Sequence, residues 1–120
     1  MFGLLLSDDL IFTSRISGTA KDLGLELSPA RSVDILLSLA GTQLPTCLIL
    51  DLSNPTLQIE DLINRVRETC SPMPRIVAYG SHVDAASLRS AREAGCDLVL
   101  PRSKFVEDLP TALPGWMTKK

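Results

Sequence analysis

Residues 47–51 read Cys-Leu-Ile-Leu-Asp, and this stretch decides the fold. An unbroken apolar run that ends in a carboxylate is typical of a strand buried on both faces, because a half-exposed strand alternates apolar and polar residues. Strands of this kind belong to parallel sheets that helices cover on both sides. We therefore predict an α/β fold with this strand near the centre of its sheet.

Similar apolar runs lie on either side of the central strand and alternate with segments of helical period. In the first such segment Phe12, Ile16 and Ala20 recur every four positions, which places one stripe of a helix against the sheet. This alternation of strands and helices predicts a single domain of five βα units around a parallel sheet. The predicted strands are residues 3–6, 25–28, 47–50, 76–79 and 98–100.

Glycines and a capping pattern mark the ends of the helical segments. Gly24, Gly41 and Gly95 follow the last apolar residue of three helices, as C-terminal caps do. Ser81 is followed three residues later by Asp84, a spacing that predicts a capping box at the start of the fourth helix.

The last helical segment contains two prolines. Because a proline inside a helix removes a hydrogen bond and crowds the preceding turn, we expect Pro110 and Pro114 to keep this helix short or broken. We therefore predict a domain over residues 1–113 and a C-terminal tail over residues 114–120.

Composition narrows the classes of partner. The 120 residues carry a formal net charge of -2 with both signs interspersed, so no broad positive field favours nucleic acid or a membrane surface. The apolar start of the chain is interrupted at Asp8, far short of a signal peptide or membrane span, which predicts a cytoplasmic protein. The three cysteines lack CxxC spacing and are predicted to be reduced structural thiols.

Carboxylates follow two of the predicted strands. Asp8 and Asp9 come directly after the first strand, and Asp51 ends the third. Since the carboxyl ends of parallel strands meet at one edge of the sheet, we expect these groups to converge there. Two carboxylates about 4 Å apart repel by roughly 4 kcal/mol at an effective dielectric of 20, so the cluster favours a cation such as Mg²⁺.

Three motifs in this order resemble the receiver domain of bacterial response regulators. They are LLLSDD at residues 4–9, Asp-x-x-x-Pro at residues 51–55 and AGCDLVLP at residues 94–101. The resemblance implies the flavodoxin-like strand order 2-1-3-4-5. It also implies that Asp51 accepts a phosphoryl group from a histidine kinase or phosphotransfer protein, and that a downstream signalling protein reads the result. In this family the pair matching Asp8 and Asp9 helps to bind Mg²⁺, and the residue matching Ser53 lends a backbone carbonyl.

The chain departs from the receiver pattern at two places. Receivers carry a small hydroxyl residue at the end of the fourth strand, where this chain has Tyr79 or Gly80, and Ser81 is the nearest substitute if it is not a helix cap. Receivers also carry a Lys after the fifth strand. Arg102 occupies that position, with Lys104 two residues further on, and a guanidinium has a different geometry from an ammonium.

Two functions from different classes remain. The first is a receiver that accepts a phosphoryl group on Asp51, with Asp8, Asp9 and Ser53 at the metal and Arg102 as the basic contact. The second is a pseudo-receiver with the same fold, acting as a protein-interaction or homodimerisation module without a phosphorylation cycle. We expect no enzymatic activity, because no pair of nucleophile and base can be named.

Overall fold

The computed structural model describes residues 1–118, in which five strands alternate with five helices, as predicted. None of the described helices is long and apolar enough to cross a membrane. The strands are β1 (Phe2–Leu6), β2 (Glu26–Ala30), β3 (Cys47–Asp51), β4 (Arg75–Gly80) and β5 (Leu98–Pro101). The helices are α1 (Leu10–Asp22), α2 (Val33–Thr42), α3 (Ile59–Thr69), α4 (Ala85–Ala94) and α5 (Arg102–Met117).

The strands form one parallel sheet in the order β2-β1-β3-β4-β5, which confirms the order implied by the family resemblance. All residues of β3 are buried, as expected of the central strand. The chain moves outward from β1 to β2 and then crosses to β3 on the other side of β1. The strand order therefore reverses between β1 and β3, and open sheets of this kind bind ligands outside the carboxyl ends of the strands at such a point.

Strand residues alternate between two apolar cores, one on each face of the sheet. Leu48 and Leu50 of β3 face the core that includes α2, α3 and α4, whereas Cys47 and Ile49 face the core that includes α1 and α5. Because side chains alternate along a strand, Asp51 belongs to the second face. This face also holds four buried aromatic or large side chains, namely Tyr79, Phe105, Leu109 and Trp116.

The last helix is longer than predicted. The expectation that prolines would break it, and that a tail would begin at residue 114, is wrong for residues 114–117, which continue α5. A proline in a helix costs about 3 kcal/mol, whereas burying a large apolar side chain contributes about 1.5–3 kcal/mol. Packing outweighs propensity because the stripe on α5 is buried throughout, at Phe105, Leu109, Leu113, Trp116 and Met117. Residues 119–120 of the predicted tail lie outside the described residues.

Helix ends follow the predicted signals only in part. Gly24 and Gly95 adopt left-handed backbone conformations with φ of 72° and 106°, as C-terminal glycines do. Gly41 does not end its helix, because α2 continues to Thr42. The capping residue of α4 is Asp84, whose side chain accepts from the backbone N–H of Ser87 at 3.1 Å, so the capping box predicted at Ser81 is wrong.

The three cysteines are free thiols, as predicted. Burial raises the pKa of Cys47 to about 12 and that of Cys96 to about 11. Burial also raises the pKa of Cys70. All three therefore remain protonated near neutral pH and behave as small apolar side chains.

Gly3 lets β1 approach the end of α5. A Cβ atom at this position would lie 2.6 Å from Sδ of the buried Met117 and 2.9 Å from Cδ1 of Leu27. We expect Gly3→Ala to lower the free energy of unfolding by about 1–3 kcal/mol, because both neighbours would have to shift. Urea denaturation measures this change.

Gly18 of α1 is the matched control, since a Cβ atom there meets nothing within 4 Å. Gly18→Ala should leave the protein equally stable or add up to about 1 kcal/mol, because alanine favours a helix interior. Equal stabilities of Gly3→Ala and wild type would show that Met117 does not pack against β1 as described.

Candidate functional site

Asp51 lies at the carboxyl end of the central strand and is buried, with 2% of its surface exposed. Its Oδ1 accepts two hydrogen bonds from Ser53, from the backbone N–H at 2.9 Å and from the hydroxyl at 2.7 Å. The Cα register places Asp51 beside Tyr79 of β4. The Asp51 carboxylate is therefore enclosed by its own loop and by the neighbouring strand.

Ser7 occupies the place next to Asp51 on the other side. Leu6, the last residue of β1, is paired with Leu50, so the residue that follows β1 lies beside Asp51. Ser7 is buried with 1% exposed, and its hydroxyl accepts from the backbone N–H of Asp9 at 3.2 Å. A neutral hydroxyl, and not a carboxylate, is thus the first side chain after β1 across from Asp51.

The two predicted carboxylates of the β1 end lie further out. Asp8 and Asp9 are both exposed. Asp9 is the N-cap of α1, and its Oδ1 accepts from the backbone N–H of Phe12 at 3.0 Å. Asp9, predicted with Asp8 as a metal ligand, therefore serves as the cap of α1.

The predicted three-carboxylate metal cluster is not formed. Within residues 1–118, no group of three or more His, Cys, Asp or Glu side chains is arranged to hold a metal ion. Ser53 donates its N–H and hydroxyl to Asp51, and the expected role of its backbone carbonyl at the metal stays a prediction. The donor set around Asp51 is therefore poor for Mg²⁺, which prefers several oxygen ligands in octahedral geometry.

Tyr79 takes the place where receivers carry a small hydroxyl residue. Its side chain is fully buried, and within the described residues its hydroxyl has no partner in hydrogen-bonding geometry. Burial raises the pKa of Tyr79, and the charge of Asp51 raises it further. The Ser7 hydroxyl and the Arg102 charge oppose this shift. The Asp9 charge also raises the pKa of Tyr79, so the charges of Asp51, Asp9 and Arg102 all act on the phenol.

An aromatic stack extends from Tyr79 into the core. The Tyr79 ring lies 4.5 Å from Phe105 and 5.1 Å from Phe12, measured between ring centroids. Phe105 in turn stacks on Trp116 at 5.5 Å. Each aromatic pair at such a distance adds about 0.5–1.5 kcal/mol of stabilisation beyond the burial of its surface. Contacts with Phe105 and Phe12 therefore fix the position of the Tyr79 ring.

Arg102, and not Lys104, is the cation near this pocket. Arg102 is the first residue of α5, and its guanidinium carbon lies 5.6 Å from the centroid of the Phe12 ring. Lys104 is directed to the surface of α5, where its Nζ lies 3.3 Å from Asp108. Lys104 therefore does not replace the family's Lys.

Ser81 lies in the loop after β4, and its Oγ accepts from the backbone N–H of Val83 at 3.3 Å. It lines a cavity of about 500 Å³ together with Arg102. His82, for which no role was predicted, lines the same cavity. The predicted hydroxyl therefore faces a space beside the Asp51 pocket.

Sequence reasoning missed Ser7 and the position of the Tyr79 hydroxyl. Strand alternation carries a signal for Ser7, since residues 5 and 49 share a face and residue 7 follows on the same face as residue 51. The inward packing of Tyr79 depends on Phe105 and Trp116, which are distant in sequence and could not be placed by local pattern.

No protein-family model matches the chain, and no curated protein matches it in sequence. Solved structures do match in fold. The receiver domain of NtrX from Brucella abortus superposes with a TM-score of 0.81 at 18% identity, covering 96% of this chain and 97% of that one. HP1043, an orphan response regulator of H. pylori, has a TM-score of 0.79 at 13% identity, covering 98% and 97%.

The beryllofluoride-activated receiver domain dimer of NtrC4 is also similar, with a TM-score of 0.76 at 17% identity and coverage of 95% and 97%. The chain thus has the receiver-domain fold over nearly its whole length.

Proposed function

We propose that this chain is a receiver-like signalling domain of the pseudo-receiver type, which acts through protein contacts without an aspartyl phosphate cycle. The observation that carries the proposal is the enclosure of Asp51, of which 2% is exposed between Ser7, Ser53 and Tyr79. A phosphodonor must bring its phosphorus atom in line with a carboxylate oxygen. Tyr79 occupies the space that a small hydroxyl residue leaves open in receivers.

The surroundings of Asp51 offer few ligands for the metal ion that a phosphoryl group needs. Phosphoryl transfer depends on electrostatic stabilisation of the transferring oxygens, usually by metal ions and cations. Here the residue that follows β1 beside Asp51 is the neutral Ser7, and the Asp9 carboxylate caps α1. This arrangement weakens the metal contribution and supports the pseudo-receiver.

The partner of such a domain is a protein in the cytoplasm, either a signalling partner or a second copy of the chain. Leu10 and Ile11 at the start of α1 are 69% and 86% exposed, which gives this end of the domain apolar surface for a contact. We expect binding without catalytic turnover, since the pocket offers no activated nucleophile.

Phosphoryl acceptance on Asp51 with Mg²⁺ is the second candidate. It is favoured by the place of Asp51 at the carboxyl end of the central strand, next to the reversal of strand order, and by the positive charge of Arg102 nearby. A histidine kinase or phosphotransfer protein would then be the partner.

Labelling with a small phosphodonor separates the two candidates. We expect no phosphoryl adduct on the wild-type chain in intact mass spectra after incubation with acetyl phosphate and Mg²⁺, because Asp51 is enclosed. The NtrC4 receiver domain, treated in parallel, provides the positive control. An adduct on wild type that is absent from Asp51→Asn would overturn the pseudo-receiver and establish the second candidate.

A further inference from the structure

We propose that the cavity beside the Asp51 pocket binds a small organic phosphate, meaning a phosphate group carried on an apolar body. The inference goes beyond the proposed function and does not rest on it. The cavity has a volume of about 500 Å³, within the range of roughly 300–1,000 Å³ typical of small-molecule sites. It lies between α1, the loop after β4 and the start of α5, and its polar lining is Arg15, Ser81, His82, Arg102 and Ser103.

The charge of the lining selects an anion. Arg15 and Arg102 both line the cavity, and no Asp or Glu does. The ion pairs within residues 1–118 involve Arg65 and Lys104, so neither cavity arginine is neutralised by a carboxylate. Two cations that share one concave site repel each other and gain when an anion lies between them.

The start of α5 adds a second feature that favours an anion. Its N-cap is Pro101, and no side chain makes a capping hydrogen bond there. The first N–H groups of this 16-residue helix are therefore left without a side-chain acceptor, and two of the residues that carry them, Arg102 and Ser103, line the cavity. Uncapped helix N-termini bind phosphate through these N–H groups and the positive end of the helix dipole.

The donors match phosphate in geometry. A guanidinium is a planar fork that forms paired hydrogen bonds to phosphate oxygens, and Arg102 is held over the Phe12 ring at 5.6 Å. The hydroxyls of Ser81 and Ser103 are further donors on the same wall. Such a ligand accounts for an arginine where receivers carry a lysine. A guanidinium can form two hydrogen bonds to one phosphate group, whereas an ammonium acts as a point charge.

The apolar part of the cavity selects a larger ligand than the inorganic ion. Phe12 and Val106 are half-buried and line the cavity next to the cations. If inorganic phosphate were bound, water would fill most of the 500 Å³ cavity and these two side chains would remain exposed to it. A phosphate ester with an apolar or aromatic body covers them and also engages the arginines.

Isothermal titration calorimetry of the full chain tests the proposal with three probes, namely phenyl phosphate, inorganic phosphate and phenol. We expect phenyl phosphate to bind with a Kd below about 1 mM, inorganic phosphate to bind at least tenfold more weakly, and phenol to give no heat of binding. Arg15→Ala and Arg102→Ala should each weaken phenyl phosphate binding by about tenfold or more.

Arg89→Ala is the matched control, because Arg89 is an exposed arginine of α4 outside the cavity lining. It should bind phenyl phosphate as wild type does, and thermal melts should show all three variants to be folded. Equal binding by Arg15→Ala and wild type, or no binding of phenyl phosphate to the wild type, would overturn the proposal. Arg15 plays no part in the enclosure of Asp51. Failure of the organic phosphate site in this titration can therefore be told apart from failure of the pseudo-receiver in the phosphodonor labelling.

Discussion

Phe105→Ala is expected to lower the free energy of unfolding by about 3–5 kcal/mol, the largest effect of any single truncation considered for this fold. Phe105 has no exposed surface and stacks on both Tyr79 and Trp116. Removing its ring leaves a cavity at the centre of the face formed by α1 and α5. Because domains of this size have only about 5–15 kcal/mol of stability, the variant should lose a large part of it.

Urea denaturation followed by circular dichroism measures the change. Phe105→Leu fills most of the space and should cost less than about 1.5 kcal/mol, so the series remains informative if the alanine variant does not fold. Ile11→Ala, at a side chain that is 86% exposed, should change stability by less than about 0.5 kcal/mol. A loss below about 1 kcal/mol for Phe105→Ala would mean that the aromatic stack does not hold this face together.

Asn54→Ala is expected to cost about 2–4 kcal/mol, because Asn54 joins two loops through buried hydrogen bonds. Only 4% of Asn54 is exposed. Its amide nitrogen donates to the Arg31 carbonyl at 3.0 Å, and its amide oxygen accepts from the N–H and hydroxyl of Thr56 at 3.0 and 2.6 Å. Alanine would remove all three hydrogen bonds, each of which contributes about 0.5–1.5 kcal/mol net.

The control for Asn54 is Asn64 of α3, whose side chain accepts an exposed hydrogen bond from Arg67 at 3.2 Å. Asn64→Ala should change the free energy of unfolding by less than about 0.5 kcal/mol. Asn54→Asp keeps the acceptor but places a carboxylate oxygen against the Arg31 carbonyl at a buried position, so it should be at least as unstable as Asn54→Ala. If Asn54→Ala and Asn64→Ala cost the same, the loop network does not contribute as described.

The strands were predictable because each depends on a local pattern, whereas their order in the sheet was implied by the family resemblance. An unbroken apolar run specifies β3, and the alternation of elements specifies the parallel sheet. Where prediction failed, packing between distant residues overrode a local rule. The prolines of α5 are tolerated because the helix buries Trp116 and Met117, which no local pattern around Pro110 reveals.

The candidate site was predictable as a place, but not in its chemistry. Asp51 lies where the sequence placed it, at the carboxyl end of the central strand. Within residues 1–118 the three carboxylates do not form a metal cluster, because strand register decides which residue after β1 lies beside Asp51, and that residue is Ser7. The capping role of Asp9 likewise depends on the residue at which α1 begins. A sequence pattern locates the end of a helix only to within one or two residues, so it could not decide between Asp8 and Asp9.

Amide NMR of the uniformly labelled chain, with and without beryllofluoride and Mg²⁺, tests the central claim most directly. If the chain is a pseudo-receiver with an enclosed Asp51, beryllofluoride should shift the resonances of Asp51 and Tyr79 no more in the wild type than in Asp51→Asn. The resonances of α4 and β5 should not shift. Strand β5 carries no aromatic residue that could move in response. Large shifts that begin at Asp51, extend through residues 83–105 and vanish in Asp51→Asn would contradict the account and establish a phosphorylation switch.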